Sequence, residues 1–131
     1  MLALLLLLVF TAGCGAPEPA ADAGESPPTY RQISQEEAKE MMAKDDGHVV
    51  VDVRRQDEYD AGHIPGAILV PNESIGCDSP EALPDYDQII LIYCRTGNRS
   101  KQAAQKLAGM GYTNIYEFGG ITTWTGDVVS D

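Results

Sequence analysis

The chain has 131 residues, 44% of them hydrophobic and 22% charged, the make-up of one globular domain. A formal net charge of −11 argues against nonspecific nucleic-acid binding, so no nucleic-acid partner is expected. The cations are unevenly placed, with Arg95, Arg99, Lys101 and Lys106 close together. That cluster fits a small anionic ligand; the plainer alternative is a solvated cationic face on one helix. Three cysteines without a C-x-x-C pair, and only His48 and His63 as imidazoles, offer no metal-ligand spacing. No metal and no cofactor are expected.

Leu2 to Phe10 is an uninterrupted apolar run, too short to span a bilayer but suited to a signal-peptide core. Thr11-Ala12-Gly13-Cys14 follows, and small residues before a cysteine resemble a bacterial lipobox. The resemblance implies cleavage before Cys14 and lipidation of its thiol. An ordinary secretory signal cut near Gly15 is the alternative. Residues 15–29 (GAPEPAADAGESPPT) are rich in Pro, Ala and acids, with no apolar period, and read as a disordered tether. The organisation is therefore a signal over 1–14, a tether over 15–29 and a folded domain over 30–131. A monomer held outside the cytoplasmic membrane by its lipid is expected, or else a secreted or periplasmic form.

Ser34-Gln-Glu-Glu37 is a capping box that predicts a helix to about Lys44, with Ala38, Met41 and Met42 on one face. His48 to Val53 is a β-branched run and predicts a buried parallel strand. Gln56 to Ala61 predicts a helical turn, and Ala67 to Val70 a second strand stopped by Pro71. Gln88 to Tyr93 predicts a third strand. Ser100 to Met110 predicts a helix ended by Gly111, with Ala103, Ala104, Leu107 and Met110 inward. Asn114 to Phe118 predicts a last strand, and Ile121 to Trp124 a helical turn. Alternating strands and helices imply an α/β fold: a central parallel β-sheet flanked by helices on both faces. Ligands of such sheets sit at the carboxyl ends of the strands.

Cys94 follows one of those ends. In Leu91-Ile-Tyr-Cys94-Arg95-Thr96-Gly97-Asn98-Arg99-Ser100, a strand closes on a cysteine, a short loop follows and a helix begins. That order sets a thiol at the bottom of a ring of backbone N–H groups at a helix N-terminus. The first anion such a ring favours is the thiolate itself. Gly97 lets the loop curl with its N–H groups inward.

Val51-Asp52-Val53-Arg54, Gly62-His63-Ile64-Pro65-Gly66-Ala67, Cys94 to Ser100, and Gly119-Gly120-Ile121 with Trp124 together resemble a single-domain rhodanese. The resemblance covers about Ile33 to Val128. It implies a rhodanese-like fold and a sulfurtransferase that moves a sulfane sulfur from thiosulfate or a similar anion to a thiophilic acceptor. Cys94 matches the nucleophile that carries the sulfur as a persulfide. Arg95, Thr96, Gly97, Asn98, Arg99 and Ser100 match the substrate-binding loop. Arg99 is expected to be the main anion ligand because it closes the loop, and Ser100 to be the helix N-cap. Asp52, Arg54, Glu58 and His63 are expected to brace the fold and the loop rather than to react. Tyr93 and Trp124 are candidates for the pocket mouth, with core packing as the other reading of Trp124.

Phosphatases and arsenate reductases of similar fold need five residues between cysteine and arginine, whereas four separate Cys94 from Arg99. The short ring favours sulfur over phosphoryl transfer. A non-catalytic binding module and an extracytoplasmic thiol redox protein are the other readings. In the redox reading, Cys77 pairs with Cys94 or resolves its oxidised form; otherwise Cys77 is an incidental thiol.

Overall fold

A computed structural model describes residues 29–130. The signal, the lipidation expected at Cys14 and nearly all of the tether lie outside the described residues. Among the described residues there are five strands: β1 (Arg31–Gln32), β2 (Val49–Asp52), β3 (Ile68–Leu69), β4 (Ile90–Cys94) and β5 (Ile115–Gly120). Three α-helices join them: α1 (Gln35–Met42), α2 (Gln56–Ala61) and α3 (Asn98–Met110). The strands form one sheet of order β1-β5-β4-β2-β3, and every pairing is parallel.

Because side chains alternate along a strand, β2 and β4 feed two cores. Val51, Val53, Ile90, Ile92 and Cys94 face α3 and pack with Ala103, Ala104 and Leu107. Val50, Leu91 and Tyr93 face the other way and pack with Ala38 and Phe118, with Met41 and Met42 of α1 against them. The runs that read as continuous β-branched stretches do so because both faces of these strands are covered.

Ser34 caps α1 by accepting the Glu37 N–H at 3.0 Å. β1 has no counterpart in the sequence reading. Its two residues are exposed and carry no apolar pattern, so only its pairing along the edge of β5 defines it. A 3-10 turn at Asn72–Ser74 likewise has no periodic signature. The helix after the cysteine starts at Asn98, earlier than expected. Gly97 is its N-cap, at a left-handed φ of 110°, and Ser100 lies inside the first turn. Glycine takes that conformation without strain, so the chain turns there rather than at the serine.

Candidate active site

β4 and α3 position the cysteine loop. Cys94 ends the central strand, is 1% exposed and carries a free thiol. It therefore forms no disulfide with Cys77. The Gly97 N–H donates to Cys94 Sγ at 2.9 Å. One of the inward-facing amides expected from the sequence is thus placed on the sulfur itself.

The far side of the loop rests on the end of β5. The β4–β5 register runs Ile92 to Glu117 and then Cys94 to Gly120, a bulge on β5. Gly120 lies against the loop so closely that a Cβ there would stand 2.1 Å from the Arg95 carbonyl oxygen and 2.6 Å from Thr96 Cα. The same carbonyl accepts the Thr122 N–H at 3.2 Å and the Thr122 hydroxyl at 3.1 Å. Gly120 therefore lets two backbones meet, and Thr122 ties them.

The loop side chains divide into two groups. Arg95, Thr96 and Asn98 are exposed, whereas Gly97 and Ser100 are buried. Arg95 has no side-chain hydrogen bond or ion pair among the described residues. Arg99 is held in an ion pair: its Nη1 and Nη2 donate to the two carboxylate oxygens of Glu58 at 2.6 and 2.9 Å. The Arg99 fork holds the Glu58 carboxyl down at about 2, against the cost of partial burial. Glu58 in turn is the chief cause of the raised Arg99 guanidinium, with a smaller Coulombic contribution from Cys94. The arginine's charge is thus within electrostatic reach of the thiol, while its hydrogen-bonding fork is spent on Glu58. Of the two loop arginines, Arg95 is the one without a side-chain partner among the described residues, whereas the Arg99 expected as main anion ligand is paired with Glu58.

Ser100 is not the helix cap. It is fully buried, and its hydroxyl lies 2.7 Å from Glu117 Oε1 and 2.9 Å from the Gly97 carbonyl. Glu117 is a residue the sequence reading passed over. It is 2% exposed, and its Oε1 also accepts the Gly119 N–H at 2.9 Å. The available signal was a single acid inside the apolar run of β5, since buried charges require partners.

A second network braces the sheet beneath the loop. Asp52, fully buried, receives Arg54 Nη2 at 2.7 Å, the Arg54 N–H at 2.9 Å and the Tyr93 hydroxyl at 2.7 Å. Tyr93 also accepts the Ile64 N–H at 3.1 Å. Burial, with the Asp52 carboxylate beside it, pushes the Tyr93 phenol up. Tyr93 is fully buried and lines no mouth. Trp124 packs on Phe118, their ring centroids 5.5 Å apart. His63 is buried; its Nδ1 is 2.8 Å from the Tyr59 carbonyl and its ring stacks on Tyr59 at 3.8 Å. Its backbone pairs with Val129, which pins the chain end to the α2 segment. A cleft of about 380 Å³ opens beside the loop, lined by Gln35, Thr96, Lys101, Glu117 and Gly120 among others; Cys94 is not in its wall. Among the described residues, no cluster of His, Cys, Asp and Glu is grouped to hold a metal ion.

A parallel sheet with a thiol at its central strand end, under a short loop and a helix N-terminus, defines a class: an α/β domain built around one cysteine. The comparisons with known proteins place it within that class. The family model described as a rhodanese-like domain matches residues 34–127, and the chain belongs to that family. A thiosulfate sulfurtransferase GlpE from Pseudomonas entomophila is 40% identical over 96 residues, covering 72% of this chain and 84% of that protein. An adenylyltransferase and sulfurtransferase UBA4 from Candida albicans is 36% identical over 112 residues, 80% of this chain but 24% of that protein. Among solved structures, a rhodanese with anions from E. coli is 31% identical, with a TM-score of 0.57 over 64% of this chain and 99% of that one. A rhodanese-related protein from Thermoplasma volcanium is 27% identical, with a TM-score of 0.66 over 78% of this chain and 100% of that one.

Proposed function

We propose that the protein is a sulfurtransferase that carries a sulfane sulfur on Cys94, taking it from thiosulfate or a similar small anion. The observation that carries this reading is the free Cys94 thiol at the strand end, with the Gly97 N–H on its sulfur at 2.9 Å. That N–H and the positive end of α3 face the sulfur and can stabilise the negative charge it carries during transfer. The thiolate attacks the outer sulfur of the donor. A new S–S bond forms at Cys94, the donor's S–S bond breaks, and sulfite leaves with the electron pair. The persulfide's outer sulfur is then attacked by a thiophilic acceptor, and Cys94 departs as thiolate. No net redox change is needed beyond the sulfur moved.

At 1% exposure, Cys94 is reached by a small reacting end, such as a terminal sulfur or a methylene carbon, rather than by a bulky one. This favours a terminal sulfur over a phosphoryl group, as does the loop of four residues between Cys94 and Arg99. Arg95 supplies the open charge for the donor's sulfonate end, while Arg99 adds its field from the ion pair with Glu58. The names of the sulfurtransferase relatives point to the same chemistry.

Intact mass after incubation with thiosulfate tests the proposal. A gain of one sulfur atom on the Cys94 peptide is expected, lost in Cys94→Ser and kept in Cys77→Ser. An unmodified wild-type protein, or sulfur retained in Cys94→Ser, overturns it.

A further inference from the structure

The buried carboxylate under the loop has no part in the chemistry above, yet it touches the loop at its turning point. Gly97 supplies the N–H that reaches Cys94 Sγ, and three observations show what holds Gly97 in place. A Cβ at Gly97 would lie 3.6 Å from Gly119 Cα and 3.8 Å from Glu117 Oε1, so both flank the Gly97 Cα at close range. Ser100, within the first turn of α3, offers a single hydroxyl proton. Its shortest acceptor is Glu117 Oε1 at 2.7 Å, and the Gly97 carbonyl already receives the Lys101 N–H at 3.1 Å. The same Oε1 takes the Gly119 N–H at 2.9 Å, which fixes the β5 bulge against which Gly97 packs. One oxygen therefore clamps the start of α3 to the end of β5, with Gly97 between them.

We propose that Glu117 is a positioning residue for Cys94: by holding Ser100 and Gly119 it keeps the Gly97 N–H aimed at the sulfur. The inference deepens the sulfurtransferase reading and rests on it for its purpose. A bare electrostatic effect would have the opposite sign, because a buried negative charge near a thiol disfavours the thiolate. The direction of the change on removing the carboxylate therefore separates the two roles.

The experiment is the pH dependence of Cys94 alkylation by iodoacetamide in the full chain, with Cys77→Ser as the common background. In Glu117→Ala the alkylation midpoint is expected to rise by roughly one pH unit, the size of one lost N–H bond to a charged group. Glu117→Gln keeps an acceptor oxygen for both donors, and its midpoint is expected at or below that of the parent. Ser100→Ala removes one of the two bonds and is expected to shift the midpoint upward by a smaller amount; it carries the same test should Glu117→Ala fail to fold. A midpoint that is unchanged or lowered in the alanine variants overturns the proposal, as does a rise in Glu117→Gln. Thiosulfate turnover, measured alongside, is expected to show a lower kcat and little change in KM for Glu117→Ala. Alkylation needs no sulfur transfer. If the parent takes up no sulfur from thiosulfate, the function fails while the positioning role is still read.

Discussion

Gly120→Ala should break the cysteine loop without touching a reacting atom. The added Cβ would stand 2.1 Å from the Arg95 carbonyl oxygen, 2.5 Å from its carbon and 2.6 Å from Thr96 Cα. These are backbone atoms, so no side chain can swing aside. An ordinary carbon–oxygen contact needs about 3.3 Å, so the two segments must separate by roughly 1 Å. Overpacking of this kind costs about 1–3 kcal/mol. The shift also stretches both bonds from Thr122 to the Arg95 carbonyl, each worth about 0.5–1.5 kcal/mol. A loss of about 2–6 kcal/mol follows, read in urea unfolding and as a fall in Tm of roughly 10 °C or more. Sulfur uptake should fall about 100-fold, since a 1 Å misplacement is enough for that. Gly119→Ala is the contrast. Its Cβ would meet only Gln35 Nε2 at 3.8 Å, so the penalty there is its φ of 94° rather than a collision. A Gly120→Ala variant within about 0.5 kcal/mol of the parent, with sulfur uptake intact, would refute the close-approach reasoning.

Asp52→Asn removes one partner of a fully buried charge pair and is expected to destabilise by about 3–5 kcal/mol in urea, with the Arg54 charge left behind. The Glu58 carboxyl is held down from 4.5 to about 2, so its contribution is complete above pH 4.5 and is lost as pH falls through 2. Glu58→Gln should therefore flatten the loss of stability over that acid window, seen as urea midpoints plotted against pH. Arg95→Ala should raise KM for thiosulfate and weaken sulfite inhibition with stability within about 0.5 kcal/mol of the parent, as for an exposed side chain. Arg99→Ala should instead lower stability and sulfur uptake together, because it strands Glu58 and removes a cation near the thiol. Finally, the apolar run and Thr11-Ala12-Gly13-Cys14 lead to an export prediction. The full-length chain in a bacterial host is expected in the membrane fraction with a palmitate label that Cys14→Ala removes; an unlabelled soluble product would leave simple secretion.

The sequence by itself determined the elements whose signals are local. The β-branched runs of β2 and β4, the Ser34 cap of α1 and the apolar period of α3 each state their structure within a dozen residues, because burial repeats with the geometry of strand and helix. The strand–cysteine–loop–helix order also located the thiol, since chain connectivity alone sets Cys94 at a strand end. Tertiary structure decided what depends on pairing across the chain. Arg99 was legible as a loop cation, but its partner Glu58, 41 residues away, appears only when the chain is folded. Ser100 looked like a cap until the left-handed Gly97 turned the chain earlier and buried the hydroxyl on Glu117. β1 exists only because the edge of β5 offers hydrogen bonds to two otherwise unremarkable residues. Local pattern reports which side a residue faces, but a polar side chain's role is set by the partner that reaches it in space, and no period in the sequence encodes that partner.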